Sequence, residues 1–315
     1  MRYAFHTLDV FTRQIFSGNP LAVLPDARGL SETQMRAIAR EFNLSETVFV
    51  LPPDRPTHAR RLRIFTPAAE LPFAGHPTLG AAWLLAALGA IPVREPATAL
   101  VFEEGVGPVA VEIAIDRSQP TFARLTAAQL PLQGPEPPEA ARLADVLALT
   151  VEDLADGEWR PEAWSCGVPF LYVPLRDRTA LTRARLRLDC WEATLAAFWA
   201  PQVYPFCRDP SDPALFHARM FAPALGVAED PATGAAAAAF AGYLARRTGD
   251  VTGARQWRLV QGMDMGRPSA LTVDADLVAG QPRTVRVGGA AVQVSAGELE
   301  VLAWDAWGQA PDAPA

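Results

Sequence analysis

Two short segments place a polar residue directly before an apolar helical pattern. The sequence HPTLGAA at residues 76–82 aligns without a gap with DPATGAA at residues 230–236. An imidazole or a carboxylate at a helix start can exchange protons with a ligand, and the first backbone amides of a helix can bind an anion. Taken alone, each segment also fits an ordinary helix start with a capping residue and Pro in the first turn. Taken as a matched pair, they predict that His76 and Asp230 share one site.

Two further matches occur in the same order. RIFTPA at 63–68 resembles RMFAPA at 219–224, and GNPLAVL from Gly18 faintly resembles GVPFLYVPL from Gly167. Three matches in order indicate an ancestral duplication. A length of 315 residues also suggests two domains. We expect them at 1–118 and 119–306, with a Pro-rich crossing near 118–140 and a disordered tail at 307–315. In an alternative division, the first domain includes the last strand near 296–306.

The elements around these segments predict an α+β fold. Residues 79–88 and 233–247 read as helices, and residues 234–245 carry no polar face, so this helix is buried all round. The rest of the chain reads mainly as strands, with one amphipathic helix that Ser31 caps. The prediction is two similar domains, each a central buried helix wrapped by a curved mixed β-sheet.

Composition and charge exclude several classes of function. The net charge of −7 disfavours a nucleic-acid partner. The longest apolar run, residues 79–93, is too short to span a bilayer, and the first residues lack the pattern of a signal peptide. Cys166, Cys190 and Cys207 form no C-x-x-C pair, which fits free thiols in the cytoplasm. The four histidines have no metal-binding spacing, and no nucleotide-binding glycine motif occurs, so we expect neither metal nor cofactor.

Five motifs in order carry a family resemblance that spans residues 3 to 305. They are FSGNPLAV, EFNLSETVFV, IFTPAAELPFAGHPTLGAA, MFAPALGVAEDPATGAA and QGMDMGRPS. Together they resemble the PhzF-like phenazine-biosynthesis family, which is similar in fold to diaminopimelate epimerase. The resemblance implies a cofactor-free isomerase, expected as a homodimer, with its site between two similar domains. Its substrate would be small, carboxylated and cyclic, as is trans-2,3-dihydro-3-hydroxyanthranilate.

The resemblance also assigns roles to individual residues. Glu46, in the SET match, would be the acid/base that carries the proton, and His76 and Asp230 would be polar partners of the substrate. The remaining expected substrate contacts are Asn19, Gly75, Gly234 and Ala235. Both glycines allow the backbone to approach a ligand closely.

Two departures from the family pattern leave alternatives open. The phenazine enzyme has Ser directly after DPATG, where this chain has Ala235, so one hydroxyl is missing. Diaminopimelate epimerase has cysteines at the helix starts, where this chain has His76 and Asp230, which argues against a two-thiol racemase. An amino-acid or hydroxy-acid epimerase without thiols and a catalytically silent carboxylate-binding protein remain alternatives.

Electrostatic environment favours Glu46 over its competitors as the proton carrier. Glu46 lies at the mouth of an apolar strand, where partial burial would raise its pKa. The positive end of a helix dipole would lower the pKa of His76 and hold Asp230 ionised.

Three other charged residues near the motifs are expected to be structural. Glu70 and Glu229 would bind loop amides or an arginine. Arg267 would hold a loop of the second domain, with assistance to an acidic ligand as the alternative.

Overall fold

The computed structural model describes residues 1–301, so the predicted tail at 307–315 lies outside the described residues. The helices are α1 Glu32–Phe42, α2 Gly75–Ala87, α3 Ala140–Val146, α4 Arg178–Arg183, α5 Leu188–Thr194 and α6 Gly234–Ala245. The strands of the first part are β1 Arg2–Val10, β2 Asn19–Leu24, β3 Glu46–Leu51, β4 Arg60–Phe65, β5 Glu70–Leu71, β6 Ala97–Glu104, β7 Gly107–Asp116 and β8 Gln119–Thr126. The later strands are β9 Leu132–Gln133, β10 Glu162–Ser165, β11 Pro169–Pro174, β12 Gln202–Arg208, β13 Leu215–Ala218, β14 Gly253–Gln261, β15 Ser269–Val278, β16 Gln281–Gly289 and β17 Ala291–Glu300.

The strands form one continuous mixed sheet, which confirms the α+β class. From one end it runs β17, β1, β2, β3, β4, β6, β7, β8, and it continues β16, β15, β14, β13, β12, β11, β10, β9. The short β5 pairs with β4. In the first eight strands, β2–β3 and β4–β6 are parallel and the other pairs antiparallel. In the other eight, β11–β12 and β13–β14 are the parallel pairs. Counted from β9 they are the third and fourth strands and the fifth and sixth strands, as β2–β3 and β4–β6 are when counted from β17.

This repeated order supports the predicted duplication. α2 connects β4 to β6, and α6 connects β13 to β14, so each helix follows the same step of the pattern. β8 pairs with β7 on one side and β16 on the other, so the two halves of the sheet join at this strand. The predicted domain division at 118 and 119 stays a prediction.

α2 and α6 are both enclosed by the sheet. Ten residues of each helix are buried, and residues of both belong to the largest apolar core. Gly80 shows how close the packing is, because a Cβ there would lie 2.4 Å from Leu21 Cδ2. Around α6 the core is aromatic, and the Phe240 ring stacks on that of Tyr172 at 5.2 Å between centroids.

The Pro-rich segment near 118–140, the predicted domain crossing, begins with a strand. Residues Gln119–Thr126 form β8, whose buried residues include Ala123 and Leu125. Pro120 is tolerated because it lies opposite Ile115, where the register of β7 and β8 shifts. A strand with a proline at a bulge gives a weak sequence signal.

Within residues 1–301, no helix is both long and apolar enough to cross a membrane.

Candidate functional site

Glu46 and His76 meet where β3 begins and α2 starts. Glu46 is the first residue of β3, and His76 lies in the first turn of α2. The Glu46 Oε2 and His76 Nε2 atoms are 3.2 Å apart, with 16% of the Glu46 side chain and 7% of the His76 side chain exposed. The angles at this contact do not make a hydrogen bond, and both atoms are without a partner among the described residues. The pair is therefore able to exchange or share a proton with a third group.

Asp230 lies in the loop before α6 and is tied to the first part of the chain by Asn19. The Asn19 Nδ2 atom donates to Asp230 Oδ1 at 2.9 Å and to the Ala232 carbonyl at 3.0 Å. The Thr233 hydroxyl donates to Asp230 Oδ2 at 2.5 Å. The negative charge of Asp230 also contributes to the pKa shift of Glu46, which places the two carboxylates in one electrostatic environment.

Burial shifts the pKa of all three groups toward their neutral forms. It raises the pKa of Glu46 to about 8, and the charge of Asp230 adds to this shift. Burial raises the pKa of Asp230 to about 6, against the hydrogen bonds from Thr233 and Asn19, which lower it. Burial lowers the pKa of His76 to about 3, although a hydrogen bond to the Pro20 backbone opposes this shift. At neutral pH the imidazole of His76 is therefore uncharged.

These values confirm the predicted direction for Glu46 and His76 but correct the prediction for Asp230. The helix dipole was expected to hold Asp230 ionised, and a pKa of about 6 leaves it mainly ionised at neutral pH. The pKa is nevertheless raised rather than lowered, because removal from water outweighs the two hydrogen bonds that Asp230 accepts. For His76 the direction agrees, but the main cause is burial rather than the dipole.

Because Pro20 has no N–H group, the Pro20 group that opposes the pKa shift of His76 is its carbonyl oxygen. The Nε2 atom of His76 faces Glu46.

Both helix starts present backbone amides that no side chain caps. Within residues 1–301, Ala74 before α2 and Thr233 before α6 make no side-chain cap hydrogen bond, whereas Ser31 caps α1. The predicted contacts Gly75, Gly234 and Ala235 occupy these first turns and are partly exposed. Free amides at the positive end of a helix suit a carboxylate ligand.

Asn19 is placed differently from a simple substrate contact. Its side chain is buried and its Nδ2 atom is used to hold Asp230 and the carbonyl before α6. Of its two polar atoms, Oδ1 is buried without a partner among residues 1–301. Only this oxygen is free to bind a ligand.

Glu70 and Glu229 have structural roles, as expected. Glu70 pairs with Arg63 at 2.7 and 2.6 Å, and Glu229 pairs with Arg219 at 2.7 and 2.8 Å. Arg267 does hold a loop, but the loop belongs to the first part of the chain. It donates to the carbonyls of Ser17 and Gly18 and pairs with the buried Asp9.

Gln261 is a site residue that the sequence reasoning missed. Its side chain is fully buried, and its Nε2 atom donates to the Asp230 carbonyl at 2.7 Å and to Thr233 Oγ1 at 3.0 Å. Its Oε1 atom accepts from the Tyr204 hydroxyl at 3.1 Å. Gln261 thereby fixes the loop that carries Asp230. The only available signal was a polar residue at the end of an apolar strand in the QGMDMGRPS motif.

The part of the chain that is described, residues 1–301, contains no group of three or more His, Cys, Asp or Glu side chains that could hold a metal ion. Cys166, Cys190 and Cys207 are free, as predicted, and none of them lies in either helix start.

Comparison with known proteins gives the family. The sequence pattern of the family described as "Phenazine biosynthesis-like protein" matches residues 8–297. The chain is 43% identical over 298 residues to an uncharacterized isomerase of Mesorhizobium japonicum, with 92% of this chain and 96% of the relative covered. It is 36% identical over 292 residues to the trans-2,3-dihydro-3-hydroxyanthranilate isomerase of Pseudomonas chlororaphis, with 93% and 97% covered.

Among solved structures, a PhzF-family phenazine biosynthesis protein of Bacillus anthracis matches with a TM-score of 0.84 and 25% identity. The match covers 96% of this chain and 100% of that one. The chain belongs to the PhzF-like phenazine-biosynthesis family, as its motifs indicated. The relatives also confirm the prediction of an enzyme of the isomerase class.

Proposed function

We propose that this protein is a cofactor-free isomerase that moves a proton between two carbons of a small, cyclic carboxylic acid. Glu46 carries the proton in this proposal, and the amides at the starts of α2 and α6 bind the substrate carboxylate. The supporting observation is the buried pair of Glu46 Oε2 and His76 Nε2, 3.2 Å apart and both without a hydrogen-bond partner within residues 1–301. Unpaired polar atoms in a buried position are costly unless a ligand uses them.

The reaction needs one group that both accepts and returns a proton. Ionised Glu46 removes a proton from one carbon, the double bond shifts, and the protonated Glu46 delivers the proton to another carbon. The atoms balance overall, and the proton exchanges with solvent while the Glu46 carboxyl group holds it, since 16% of this side chain is exposed. A pKa near 8 suits this role because both forms of Glu46 are accessible close to neutral pH.

His76 and Asp230 assist this step in different ways. The uncharged imidazole of His76, 3.2 Å from Glu46, adds no positive charge that would hold Glu46 ionised between the two proton transfers. Asp230, which is held by Asn19 and Thr233, raises the pKa of Glu46 and contacts a polar group of the substrate.

The position that corresponds to Glu46 in the second half favours an isomerase over an epimerase. Glu46 pairs with Leu21 of the parallel neighbour β2, and Gln202 pairs with Phe170 of the parallel neighbour β11. Gln202 therefore occupies the matching place, and a carboxamide cannot act as a base. The second half therefore supplies no base at the position matched to Glu46, which favours proton transfer on one face of a ring over inversion between two such bases.

The predicted homodimer, the cytoplasmic location and the independence of metals and cofactors belong to this proposal and remain predictions. A small carboxylated, cyclic substrate is supported by the relative that is named for trans-2,3-dihydro-3-hydroxyanthranilate.

The test is incubation with trans-2,3-dihydro-3-hydroxyanthranilate in deuterated water, followed by NMR spectroscopy of the product. We expect slow isomerisation with deuterium at the reprotonated carbon. Because Ala235 lacks a hydroxyl, we expect Ala235→Ser to raise turnover by about two- to tenfold, the effect of one hydrogen bond. Rapid turnover that Ala235→Ser leaves unchanged would show that the missing hydroxyl at residue 235 does not affect catalysis. Failure to incorporate deuterium into this acid, under conditions in which it binds, would overturn the proposed reaction on this substrate.

A further inference from the structure

Glu104, the last residue of β6, is a buried carboxyl group outside the site described above. Its side chain lies against α2, where its Oε1 atom is 2.7 Å from Oγ1 of Thr78 at the end of the first turn of the helix. Its Oε2 atom is buried and has no hydrogen-bond partner within residues 1–301. A carboxylate buried with a single partner is strongly disfavoured, so the protonation state of Glu104 needs an explanation.

The hydrogen bonds of Thr78 indicate that state. Thr78 Oγ1 lies 2.8 Å from the Ala74 carbonyl oxygen as well as 2.7 Å from Glu104 Oε1. A hydroxyl has only one hydrogen to donate, and a carbonyl oxygen only accepts. Both contacts are satisfied when Thr78 donates to Ala74 and a protonated Glu104 donates to Thr78.

The surroundings of Glu104 contain no charge that would hold it ionised. Burial raises the pKa of Glu104 to about 8, with the Thr78 hydrogen bond as the opposing contribution and no charged group among the causes. The titratable groups on the neighbouring elements have partners of their own. Glu103 on β6 binds His58 and two amides, Arg61 on β4 pairs with Asp54, His76 on α2 faces Glu46, and Arg124 on β8 pairs with Glu112 and Asp274.

We propose that Glu104 is a positioning residue that stays protonated and donates a hydrogen bond to Thr78. This bond fixes the first turns of α2, which carry Gly75 and His76. Because the group is neutral, it also leaves the positive end of α2 uncompensated, so that the helix start remains available to a ligand carboxylate. The second effect rests on the proposed function, whereas the protonation of Glu104 does not.

The first test needs no ligand and compares the urea unfolding of the wild type and Glu104→Gln between pH 5 and 9. The unfolded chain loses the Glu104 proton near the ordinary pKa of 4.5, whereas the folded protein keeps it up to about 8. Stability is therefore lost as the pH rises through this window. Relative to Glu104→Gln, the wild-type folding constant should fall about tenfold per pH unit up to pH 8 and then level off.

Glu103→Gln is the matched control, since Glu103 is the neighbouring carboxylate and its pKa is lowered, mainly by the hydrogen bond from the Asp54 backbone. Its difference from the wild type should stay flat between pH 5 and 9. Parallel stability curves for the wild type and Glu104→Gln would overturn the proposal. If Glu104→Gln does not fold, infrared spectroscopy decides whether Glu104 is protonated. The Glu46→Gln variant is used for this, because the pKa of Glu46 is also about 8 and its carboxyl band would overlap. A protonated carboxyl band at pH 7 that vanishes well above pH 8 supports the proposal, and its absence at pH 7 overturns it.

The second test addresses positioning, with 3-hydroxyanthranilate as the probe and calorimetry as the readout. At pH 7, Glu104→Gln should bind like the wild type because the amide also donates to Thr78, whereas Glu104→Leu should bind about two- to tenfold more weakly. In the Glu46→Gln background, affinity should fall about fivefold from pH 7 to pH 9, and the added Glu104→Gln change should abolish this fall.

Equal binding by Glu104→Leu and the wild type, or a fall that persists in the double variant, would overturn the positioning role. If the folded wild type binds no carboxylate at all, the proposed function fails and positioning fails with it. The unfolding test still decides the protonation of Glu104 in that case.

Discussion

The two halves of the sheet build the same scaffold and differ at the atoms available for chemistry. In the first half, Arg63 pairs with Glu70 and stacks on Phe65 at 5.1 Å. In the second, Arg219 pairs with Glu229 and stacks on Phe221 at 4.9 Å. These two Arg–Glu ion pairs, Arg63–Glu70 and Arg219–Glu229, come before α2 and α6 in the chain.

The differences lie at two matched positions. His76 in the first turn of α2 aligns with Asp230 in the loop before α6, and the first residue of the matched strand is Glu46 or Gln202. The two halves therefore share their strand order and differ in the side chains at these positions. In the proposed mechanism the first half carries the proton through Glu46, and the second half contributes Asp230 for binding and electrostatic tuning.

The largest expected effect comes from making the two halves alike with Glu46→Gln. The change keeps the shape of the side chain but removes the proton acceptor. We expect turnover to fall by roughly 10²–10⁴-fold while binding of a carboxylated ligand survives. Steady-state kinetics and calorimetry measure the two separately. Glu70→Gln, at a carboxylate paired with Arg63, is the control and should keep its activity.

The Arg63–Glu70 and Arg219–Glu229 ion pairs are expected to differ in their contribution to stability. Arg219 is 4% exposed, whereas Arg63 is 19% exposed and also pairs with Glu32 at 2.9 Å. Glu229→Gln should therefore lower the free energy of unfolding by about 3 kcal/mol, and Glu70→Gln by about 1 kcal/mol or less. Urea denaturation of both variants tests this. Equal losses of unfolding free energy in the two variants would show that the two ion pairs contribute equally to stability.

Asp230→Asn should change the pH dependence of stability. Because the folded-state pKa of Asp230, about 6, lies above its ordinary value of 3.8, its contribution to stability is complete below pH 3.8 and is lost as the pH rises through 6. Relative to the wild type, Asp230→Asn should gain on the order of 2 kcal/mol between pH 4 and pH 7. Chemical denaturation across this range measures the difference. The pKa of Asp209 is shifted in the opposite direction to that of Asp230, because hydrogen bonds from Ser211 and His217 hold it well below the usual value. A constant difference between wild type and Asp230→Asn would contradict the raised pKa.

The smallest effect on stability is expected at the glycines of the two helix starts. A Cβ on Gly75 would lie 3.7 Å from Leu125, and one on Gly234 would lie 3.7 Å from Phe11, which are ordinary contacts. Alanine at either position should leave stability unchanged or raise it by about 0.5–1 kcal/mol. If these glycines admit a ligand, affinity should nonetheless fall about tenfold.

Thermal unfolding and calorimetry of Gly75→Ala and Gly234→Ala measure these effects. Gly80→Ala is the control, because its Cβ would lie 2.4 Å from Leu21 and should destabilise the core. Unchanged affinity in both helix-start variants would mean that the glycines have no role in binding.

The sequence was sufficient to predict the features that depend on local pattern. The apolar helices, the Ser31 cap, the paired roles of Glu70 and Glu229 and the direction of the Glu46 pKa shift follow from composition, spacing and motif matches. The resemblance, not the physics of the sequence, singled out Glu46 among the acidic residues.

What the sequence did not reveal depends on three-dimensional burial and pairing. The raised pKa of Asp230 results from desolvation that outweighs its hydrogen bonds, and no local pattern shows that balance. The support from Gln261 and the contact of Glu104 with Thr78 join segments that are far apart in sequence. The correspondence of Glu46 and Gln202 became visible only from the strand register.

Solvent-deuterium exchange into bound substrate, compared between Glu46→Gln and His76→Asn, tests most directly which residue carries the proton. We propose Glu46, since its pKa lies near 8 whereas that of His76 lies near 3. NMR spectroscopy should find no exchange in Glu46→Gln and reduced but measurable exchange in His76→Asn. Exchange that persists in Glu46→Gln and vanishes in His76→Asn would make His76 the base and contradict this assignment.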